Sequence, residues 1–338
     1  MAYTTIKKPS DYFNTKLYTG NGSTNAQTGV DFQPDFTWIK SRSNAENHNL
    51  FDAVRGATKR IRSNGAEAED TRTTSLTAFD SDGFTLGSGS QVNTSGWTFA
   101  SWNWKANGQG SSNTDGSINT TYTSANTTAG FSIIKYAGTG SSGTIGHGLS
   151  ATPKVLLIKE IDGAEGWRVW HRNAPNYSTK ALQLNSTSAE FSQTNWIGTV
   201  DNSIITLGTD SSINTSGNNY ICYAFAPKTG YSKFGSYTGN GNANGTFIYT
   251  GFKPAFLIAK RTDAGAPWVM YDNKRDIDNP SNHRLLSNAS NAELVEDANT
   301  NIDFLSNGFK TRNADSDSNA SGGTYIYMAF AEEPLVGD

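Results

Sequence analysis

The chain has 338 residues and a formal net charge of −3, and its apolar residues (35%) are sufficient for packed cores. This charge balance excludes a nucleic-acid surface driven by counterion release, and no run of residues reaches the roughly 18 apolar positions of a membrane span. The single cysteine, Cys222, excludes an internal disulfide framework and a cysteine-based zinc site.

The two ends of the chain are expected to lie outside the packed part of the molecule. Residues 1–10 (MAYTTIKKPS) predict an N-terminal arm, and residues 335–338 predict a short C-terminal tail. Because the N-terminal residues lack the apolar stretch of a signal peptide, we expect a protein that is made in the cytoplasm of its host cell.

Three segments share the same phrases in the same order, which indicates a tandem triplication. Each segment opens on a tyrosine-glycine phrase: YTGNG at 18–22, YAGTG at 136–140 and YTGNG at 237–241. A proline with a lysine six residues later follows each phrase: Pro34 and Lys40, Pro153 and Lys159, Pro254 and Lys260. Each segment closes on NTSG or NASG, at 93–96, 214–217 and 319–322.

The triplication defines three units, which we call unit 1 (residues 11–106), unit 2 (130–228) and unit 3 (229–334). Residues 107–129 are rich in Gly, Ser, Thr and Asn and predict a flexible or extended linker. Units 2 and 3 are joined only by Pro227-Lys-Thr-Gly230. We therefore expect these two units to keep a fixed relative orientation and unit 1 to be more independent.

The apolar pattern within each unit has a period of two, which predicts strands. The segments that follow the closing phrases, TFASWNW, NYICYAF and TYIYMAF, are bulky on both faces and predict inner strands covered on each side. Asp82-Gly83 and Asn307-Gly308 predict hairpins. Helical turns are expected only at Ala45–Phe51, Asn64–Asp70 and Ser290–Asp297. The sequence thus predicts an all-β protein of three tandem antiparallel β-sandwich modules, of jelly-roll or concanavalin-like type.

Patterns of catalytic residues are weak throughout the chain. Gly87-Ser-Gly-Ser-Gln91 fails the Gly-x-Ser-x-Gly nucleophile elbow at its last position, and the four histidines occupy non-equivalent places in the units. Neighbouring carboxylates such as Asp80 and Asp82 are typical of turns, and proximity in sequence does not place them across a cleft. We therefore predict that the protein is not an enzyme.

One segment resembles the start of a calcium loop, Asp315-Ser-Asp317-Ser-Asn319. Such a loop has Gly at its sixth position and Glu at its twelfth, where this chain has Ala320 and Ile326. We therefore predict neither a bound metal nor another cofactor.

A polar pair recurs with its spacing intact in two of the units: Asp52 with Arg55, and Asp272 with Arg275. Unit 2 has Trp170-His171-Arg172 instead and loses the pair. In a structural interpretation, an Asp–Arg bridge ties a loop to its own sandwich. In a functional interpretation, the pair forms a polar bracket for a sugar or a partner chain.

An aromatic platform beside this bracket is the second part of the functional interpretation. Trp167 and Trp268 align with each other, and the 8 Trp, 14 Tyr and 17 Phe of this weakly charged chain suit contact with a glycan or a protein. The candidate ligand-binding residues are therefore Trp167, Trp268, Asp52, Arg55, Asp272 and Arg275.

The chain resembles a family of tailed-phage virion structural proteins in several long phrases: YFNTKLYTGNG, LFDAVRGATK, TAFDSDGFTLG, SWNWKANG, GYSKFGSYTGNGNANGTFIYTGFKPAFLIAKR, DFLSNGF and NASGGTYIYMAFAE. The family is common in phages of marine bacteria, cyanobacteria included, and similar sequences are often described as tail-fibre or SPRY/lectin-like sandwich proteins. The resemblance covers residues 11–334. It implies a virion component and brings no established catalytic residues.

Together, the resemblance and the repeats predict a non-enzymatic virion appendage, a tail-fibre or receptor-binding protein that contacts a host-surface glycan or protein. Several weak sites gain affinity when they engage together. The expected partners are other virion proteins (adaptor, tail or capsid), the host receptor and further copies of the chain, for which the resemblance implies a trimer. Neither nucleic acid nor membrane insertion is expected. The alternatives are a capsid or tail decoration protein and a polysaccharide depolymerase.

Overall fold

Antiparallel strands make up almost all of the regular structure in the computed structural model, which describes residues 4–295 and 300–334. The first residues of the predicted arm, the end of the predicted turn Ser290–Asp297 and the predicted tail lie outside the described residues. The predicted fold class, all-β with antiparallel sheets packed as sandwiches, is confirmed.

The strands follow one another with the same spacing in the three units. Unit 1 contains β1 (Phe13–Thr19), β2 (Asn25–Thr28), β3 (Phe36–Ser41), β4 (Asn49–Asp52), β5 (Lys59–Arg60), β6 (Asp70–Thr71), β7 (Leu76–Asp80), β8 (Gly83–Leu86) and β9 (Thr98–Trp104). Before and in unit 2 lie β10 (Tyr122–Asn126), β11 (Phe131–Ala137), β12 (Gly143–Gly146), β13 (Val155–Glu160), β14 (Arg168–His171), β15 (Lys180–Ala181), β16 (Phe191–Ser192), β17 (Ile197–Val200), β18 (Ile204–Leu207) and β19 (Asn219–Phe225). Unit 3 contains β20 (Ser232–Thr238), β21 (Phe247–Tyr249), β22 (Phe252–Arg261), β23 (Trp268–Asp272), β24 (His283–Leu286), β25 (Leu294–Val295), β26 (Ile302–Leu305), β27 (Gly308–Thr311) and β28 (Thr324–Pro334).

Each unit has one larger and one smaller antiparallel sheet, and units 1 and 2 each add a two-stranded sheet, β5-β6 and β15-β16. The larger sheets have the orders β1-β9-β3-β4, β10-β11-β19-β13-β14 and β20-β28-β22-β23-β24-β25, and the smaller ones β2-β8-β7, β12-β18-β17 and β21-β27-β26. The two sheets of a unit enclose an apolar core. In unit 1, Ile39 and Phe99 of the larger sheet pack with Leu76 and Phe84 of the smaller sheet, and units 2 and 3 have equivalent cores. Each unit is therefore a sandwich.

The opening and closing phrases recur because a buried asparagine joins them. The Asn214 side chain donates to the Ser141 carbonyl at 2.8 Å and accepts from the Thr139 backbone N–H at 2.8 Å. The corresponding asparagines of units 1 and 3 make bonds of the same kind. Gly138 lies so close to the closing phrase that a Cβ there would be 2.3 Å from the Thr215 carbonyl oxygen. The phrases thus fix one end of each sandwich.

The larger sheets also pack against one another, around an aromatic core that all three units share. Three rings of the central strands, Trp104, Phe225 and Phe330, occupy equivalent positions, because each pairs with the same position of the neighbouring strand. Their ring centroids lie 6.5 Å (Trp104–Phe225), 5.9 Å (Phe225–Phe330) and 5.6 Å (Trp104–Phe330) apart. We call this group the aromatic triangle. Because unit 1 contacts both other units here, the expectation that it is more independent is wrong.

Residues 107–129 do not form a free linker. Strand β10 pairs with β11 and extends the larger sheet of unit 2. Upstream of it, the Ile118 N–H donates to the Thr144 carbonyl of β12 at 2.9 Å, and the Ser117 hydroxyl accepts from the Thr144 N–H at 2.9 Å. The polar composition that favours a solvated linker serves here to satisfy the edges of two sheets.

The helices of the described residues are short and lie elsewhere than predicted. They are a 3-10 turn at Pro9–Asp11 and the helices α1 (Ser90–Asn93) and α2 (Ser211–Asn214). The helical turn predicted at Ala45–Phe51 is wrong because Asn49–Asp52 forms β4, and the one at Ser290–Asp297 contains β25 instead. Asn64–Asp70 forms no helix. Burial of residues such as Leu50 and Phe51 in two cores overrides the local propensity.

Replacing one ring of the aromatic triangle should destabilise the whole molecule. We expect Phe225→Ala to lower the free energy of unfolding by about 3–5 kcal/mol because it leaves a cavity at the contact of three sheets. Phe247→Ala, at a surface ring, is the matched control and should change stability by no more than about 0.5 kcal/mol. Denaturant unfolding followed by tryptophan fluorescence measures both, and equal effects would contradict a central role of the triangle.

Candidate functional site

The predicted polar pair of unit 1 lies at its contact with unit 2. The Asp52 and Arg55 side chains are fully buried, and the Arg55 Nε donates to Asp52 Oδ2 at 2.5 Å. The Tyr223 hydroxyl of unit 2 donates to the same oxygen at 2.6 Å. Arg55 also pairs with Glu69 at 3.3 Å. The bridge therefore joins two units, and it does not merely tie a loop to its own sandwich.

The pair of unit 3 makes the same arrangement with unit 1. The Arg275 Nε donates to Asp272 Oδ2 at 2.6 Å, and the Trp102 indole N–H of unit 1 donates to that oxygen at 3.0 Å. Arg275 also pairs with Glu293 at 3.0 Å. Trp102 and Tyr223 occupy equivalent positions. At both contacts, therefore, an aspartate carboxylate accepts a hydrogen bond from an aromatic side chain of the neighbouring unit.

The contact between units 2 and 3 explains why unit 2 lacks the pair. His171 takes the place of the aspartate, and the ring-donor position is Met328, whose thioether has no hydrogen to donate. The His171 Nε2 instead lies 3.1 Å from the Tyr327 carbonyl oxygen and donates to it. Burial lowers the pKa of His171 to about 4, so the ring is neutral near pH 7. At the contact where Met328 replaces the donating ring, the neutral donor His171 therefore replaces the buried carboxylate.

Trp167 and Trp268 do not form a ligand platform, so this prediction is wrong. Both rings are buried, with exposures of 0% and 2%. The Trp167 indole N–H donates to the Arg62 carbonyl of unit 1 at 2.8 Å, and that of Trp268 donates to the Gln183 carbonyl of unit 2 at 2.9 Å. All six candidate ligand residues are therefore closed to solvent and hold the units together.

These contacts run in one direction around the molecule. In unit 1 the position equivalent to Trp167 and Trp268 is occupied by His48. The His48 Nε2 lies 2.9 Å from the Leu286 carbonyl oxygen of unit 3. Unit 2 thus binds unit 1, unit 3 binds unit 2, and unit 1 binds unit 3. The three units form a closed ring with pseudo-threefold symmetry around the aromatic triangle.

The three recurring lysines are buried at equivalent places of the ring: Lys40, Lys159 and Lys260. Each ammonium donates to backbone carbonyls, for example Lys40 Nζ to the Ser41 oxygen at 2.6 Å and Lys260 Nζ to the Arg261 oxygen at 2.6 Å. Burial lowers the pKa of all three to about 8. They are structural donors that carry a desolvation cost while charged.

The carboxylates singled out from the sequence are engaged in local bonds. Asp317 pairs with Arg284 at 3.0 Å, and no group of three His, Cys, Asp or Glu side chains within the described residues could hold a metal ion. Asp82 accepts from the Gly29 and Asp31 backbone N–H groups, and these bonds lower the pKa of its carboxyl. This state agrees with the interpretation of these residues as turn elements.

Exposed aromatic rings occur on the outermost strand of the smaller sheet of unit 3. Phe247 and Tyr249 of β21 are 44% and 47% exposed. Pairing with the central strand of each smaller sheet aligns Phe247 with Ala26 and Thr144, and Tyr249 with Thr28 and Gly146. Only unit 3 carries rings at these positions.

Lys233 stands beside these rings. Its ammonium donates to the Tyr249 carbonyl at 2.7 Å and lies 5.1 Å from the centre of the Tyr249 ring. A neighbouring open pocket of about 330 Å³ is lined by Lys233, Tyr249 and Thr250 together with residues of the connection between units 2 and 3. We call Phe247, Tyr249 and Lys233 the aromatic edge.

The sequence contains a signal for the aromatic edge in the alignment of its three repeats. Aligning the three units strand by strand shows aromatic residues in unit 3 where units 1 and 2 have small or polar ones. The high aromatic content instead favoured tryptophans as the ligand platform, although tryptophan side chains are large and on average highly buried.

Comparison with known proteins assigns a family without assigning a function. A family model described as Domain of unknown function (DUF7483) matches residues 8–334. Neither the curated proteins nor the solved structures contain a significant match. Within the described part of the chain, no helix has the length and apolar character needed to cross a membrane.

The polar contact between units 1 and 2 should be transferable to the contact between units 2 and 3 only when all of its residues are transferred together. We expect His171→Asp to lower the free energy of unfolding by about 3–5 kcal/mol, since it buries a carboxylate that has neither a cation nor a donating ring beside it. Adding Ala174→Arg and Met328→Tyr recreates the Asp52–Arg55–Tyr223 arrangement and gives the buried, unpartnered Glu190 Oε1 a cation. Denaturant unfolding should show recovery of most of the loss, and a triple variant as unstable as the single one would contradict this explanation.

The buried lysines should make the protein more stable as the pH rises from about 8 to 10. The folded state releases these protons near pH 8 and the unfolded state only near 10.5, so the unfolded state holds more protons in that window and the free energy of unfolding increases with pH. Urea unfolding at pH 7.5, 9 and 10 measures the slope. The triple Lys→Met variant at positions 40, 159 and 260 should have a clearly smaller slope than the unmodified protein, because burial raises the pKa of Cys222 and of buried tyrosines such as Tyr223, and these groups act in the opposite direction. Equal slopes in the two proteins would refute the assignment.

Proposed function

The chain belongs to the DUF7483 family, and we propose that it is a non-enzymatic virion appendage of a tailed phage that binds a host-surface glycan through the aromatic edge of unit 3. The observation that carries the proposal is the exposure of two rings on one of three equivalent strands. A position that is repeated in all units serves the fold. A large apolar side chain that is present in one unit and open to solvent has no such structural role.

The chemistry of the aromatic edge suits a sugar. The flat faces of Phe247 and Tyr249 offer apolar area to the C–H faces of a pyranose ring, and an aromatic ring loses little side-chain entropy on binding. Donors and acceptors for hydroxyl groups lie nearby on Lys233, Lys310 and Asn244, where the Lys310 Nζ donates to Asn244 Oδ1 at 2.6 Å. An apolar face with a polar rim is the usual composition of such sites.

Binding, and not bond cleavage, is supported by the placement of the carboxylates that the sequence singled out. Asp52 and Asp272 are fully buried between units, and Asp317 is paired with an arginine. A glycosidase needs two carboxyl groups that face a sugar across a cleft. The acidic side chains named above are committed to other bonds.

Removing the two rings should weaken glycan binding strongly. We expect the double variant Phe247→Ala/Tyr249→Ala to lose at least tenfold in affinity on an array of bacterial surface polysaccharides, because both apolar faces are gone. The matched control is Ile277→Ala/Val295→Ala, which removes two other exposed apolar side chains and should bind as the unmodified protein does. Thermal unfolding of both variants verifies that the fold is intact.

Three outcomes would overturn this proposal. Equal binding by the double variant would exclude the aromatic edge as the site. Failure to bind any polysaccharide, together with labelling of the phage capsid by antibodies, would favour a decoration protein. Release of reducing ends from a polysaccharide would show an enzyme.

A further inference from the structure

A second pocket lies where the ring closes, between unit 3 and unit 1, which no chain connection joins. It has a volume of about 190 Å³. Its floor includes Phe13 and Ala255, and its walls include Ser10, Asn14, Thr15 and Asn273. Asp31 and Lys274 stand at its exposed rim. We call it the seam pocket, and it shares no residue with the aromatic edge.

Two buried polar side chains of the seam pocket have an oxygen without a partner. Thr15 and Asn273 are each 7% exposed, and neither Thr15 Oγ1 nor Asn273 Oδ1 has a hydrogen-bond partner within the protein. A buried oxygen without a donor in the protein needs a water or a ligand to satisfy it, and two such oxygens belong to the side chains that line this one pocket.

The other two contacts of the ring differ from the seam at the positions of Thr15 and Asn273. The central-strand pairing aligns Thr15 with Ile133 and Phe234, which belong to the shared apolar core. Asn273 aligns with Ala53 and Arg172. These three residues directly follow Asp272, Asp52 and His171, which occupy equivalent positions at the contacts between units. At the seam, therefore, a hydroxyl and an amide stand where the equivalent places have an apolar side chain or a different polar one. The fold itself does not require them.

The rim of the pocket contains a constrained acidic residue. Asp31 has a φ of 72°, a left-handed conformation that is uncommon outside glycine. The Asp82 carboxylate holds it there by accepting from the Asp31 N–H at 2.7 Å, and Lys8 lies 3.4 Å from the Asp31 carboxylate. Residues in such conformations are concentrated at ligand clamps and other functional sites.

We propose that the seam pocket binds a neutral polyhydroxylated ligand of the size of one monosaccharide. A hydroxyl group both donates and accepts, so it can bond the Thr15 hydroxyl, and it can bond the Asn273 amide in either of its orientations, once these side chains turn toward the pocket. The apolar floor matches the C–H groups of such a ligand. The volume lies below the roughly 300 Å³ at which pockets for larger ligands begin, which selects a compact ligand.

The experiment titrates D-glucose, D-galactose, N-acetyl-D-glucosamine and glycerol into the full chain, with saturation-transfer NMR and calorimetry as readouts. It uses the Phe247→Ala/Tyr249→Ala background, so that binding at the aromatic edge cannot contribute and failure of either proposal is distinguishable. We expect saturable binding of at least one sugar. Thr15→Val, which keeps the shape and removes the hydroxyl, and Asn273→Ala should each weaken it at least tenfold.

Two further variants separate a direct role from a structural one. Thr15→Ser keeps the hydroxyl and should retain the affinity within about threefold. Arg172→Ala, at the place equivalent to Asn273 in another contact, should leave it unchanged. The proposal is overturned if none of the four probes binds at 50 mM, if Thr15→Val binds as well as the background protein, or if a crystal soaked in the sugars holds only ordered water in the pocket.

Discussion

The aromatic triangle of Trp104, Phe225 and Phe330 is the contact on which the rest of the architecture depends. Each larger sheet is apolar on both faces, and the smaller sheet of its unit covers only one of them. A sheet must bury its second apolar face against another element. Three equivalent sheets that turn these faces to one axis bury all of them in one shared core, so each sandwich needs the other two to cover its second face.

Polar contacts around the triangle determine which unit meets which. Asp52 meets Tyr223, Asp272 meets Trp102, and His171 meets a backbone carbonyl of unit 3. Buried polar groups are destabilising when they are left unpaired, so a shifted arrangement of the units is disfavoured more than an apolar contact alone would disfavour it. The change of aspartate to histidine, where the facing ring donor has become methionine, shows that each contact is matched as a set.

Internal repetition separates residues that maintain the fold from residues that are free for function. The buried asparagines, the lysines and the central aromatic residues recur in every unit and have a structural explanation in each. Phe247 and Tyr249 at the surface, and Thr15 and Asn273 at the seam, depart from their counterparts and have no such explanation. Besides the matched change at the contact of units 2 and 3, the pseudo-threefold ring therefore carries two departures that have no structural explanation, and the chemistry of both suits ligands with hydroxyl groups.

The sequence by itself determined the all-β class and the central strands, because an alternating apolar pattern and repeated phrases are local properties of the chain. It also indicated that Asp52 pairs with Arg55 and that Asp272 pairs with Arg275. Only the tertiary structure decided that these residues and both tryptophans face another unit, since a large ring beside an Asp–Arg pair has the same pattern in a buried interface as on an open surface. The sequence also did not determine the strand within residues 107–129 or the seam pocket. The strand depends on a sheet edge of unit 2, and the pocket depends on the faces of units 1 and 3 that come together in the ring.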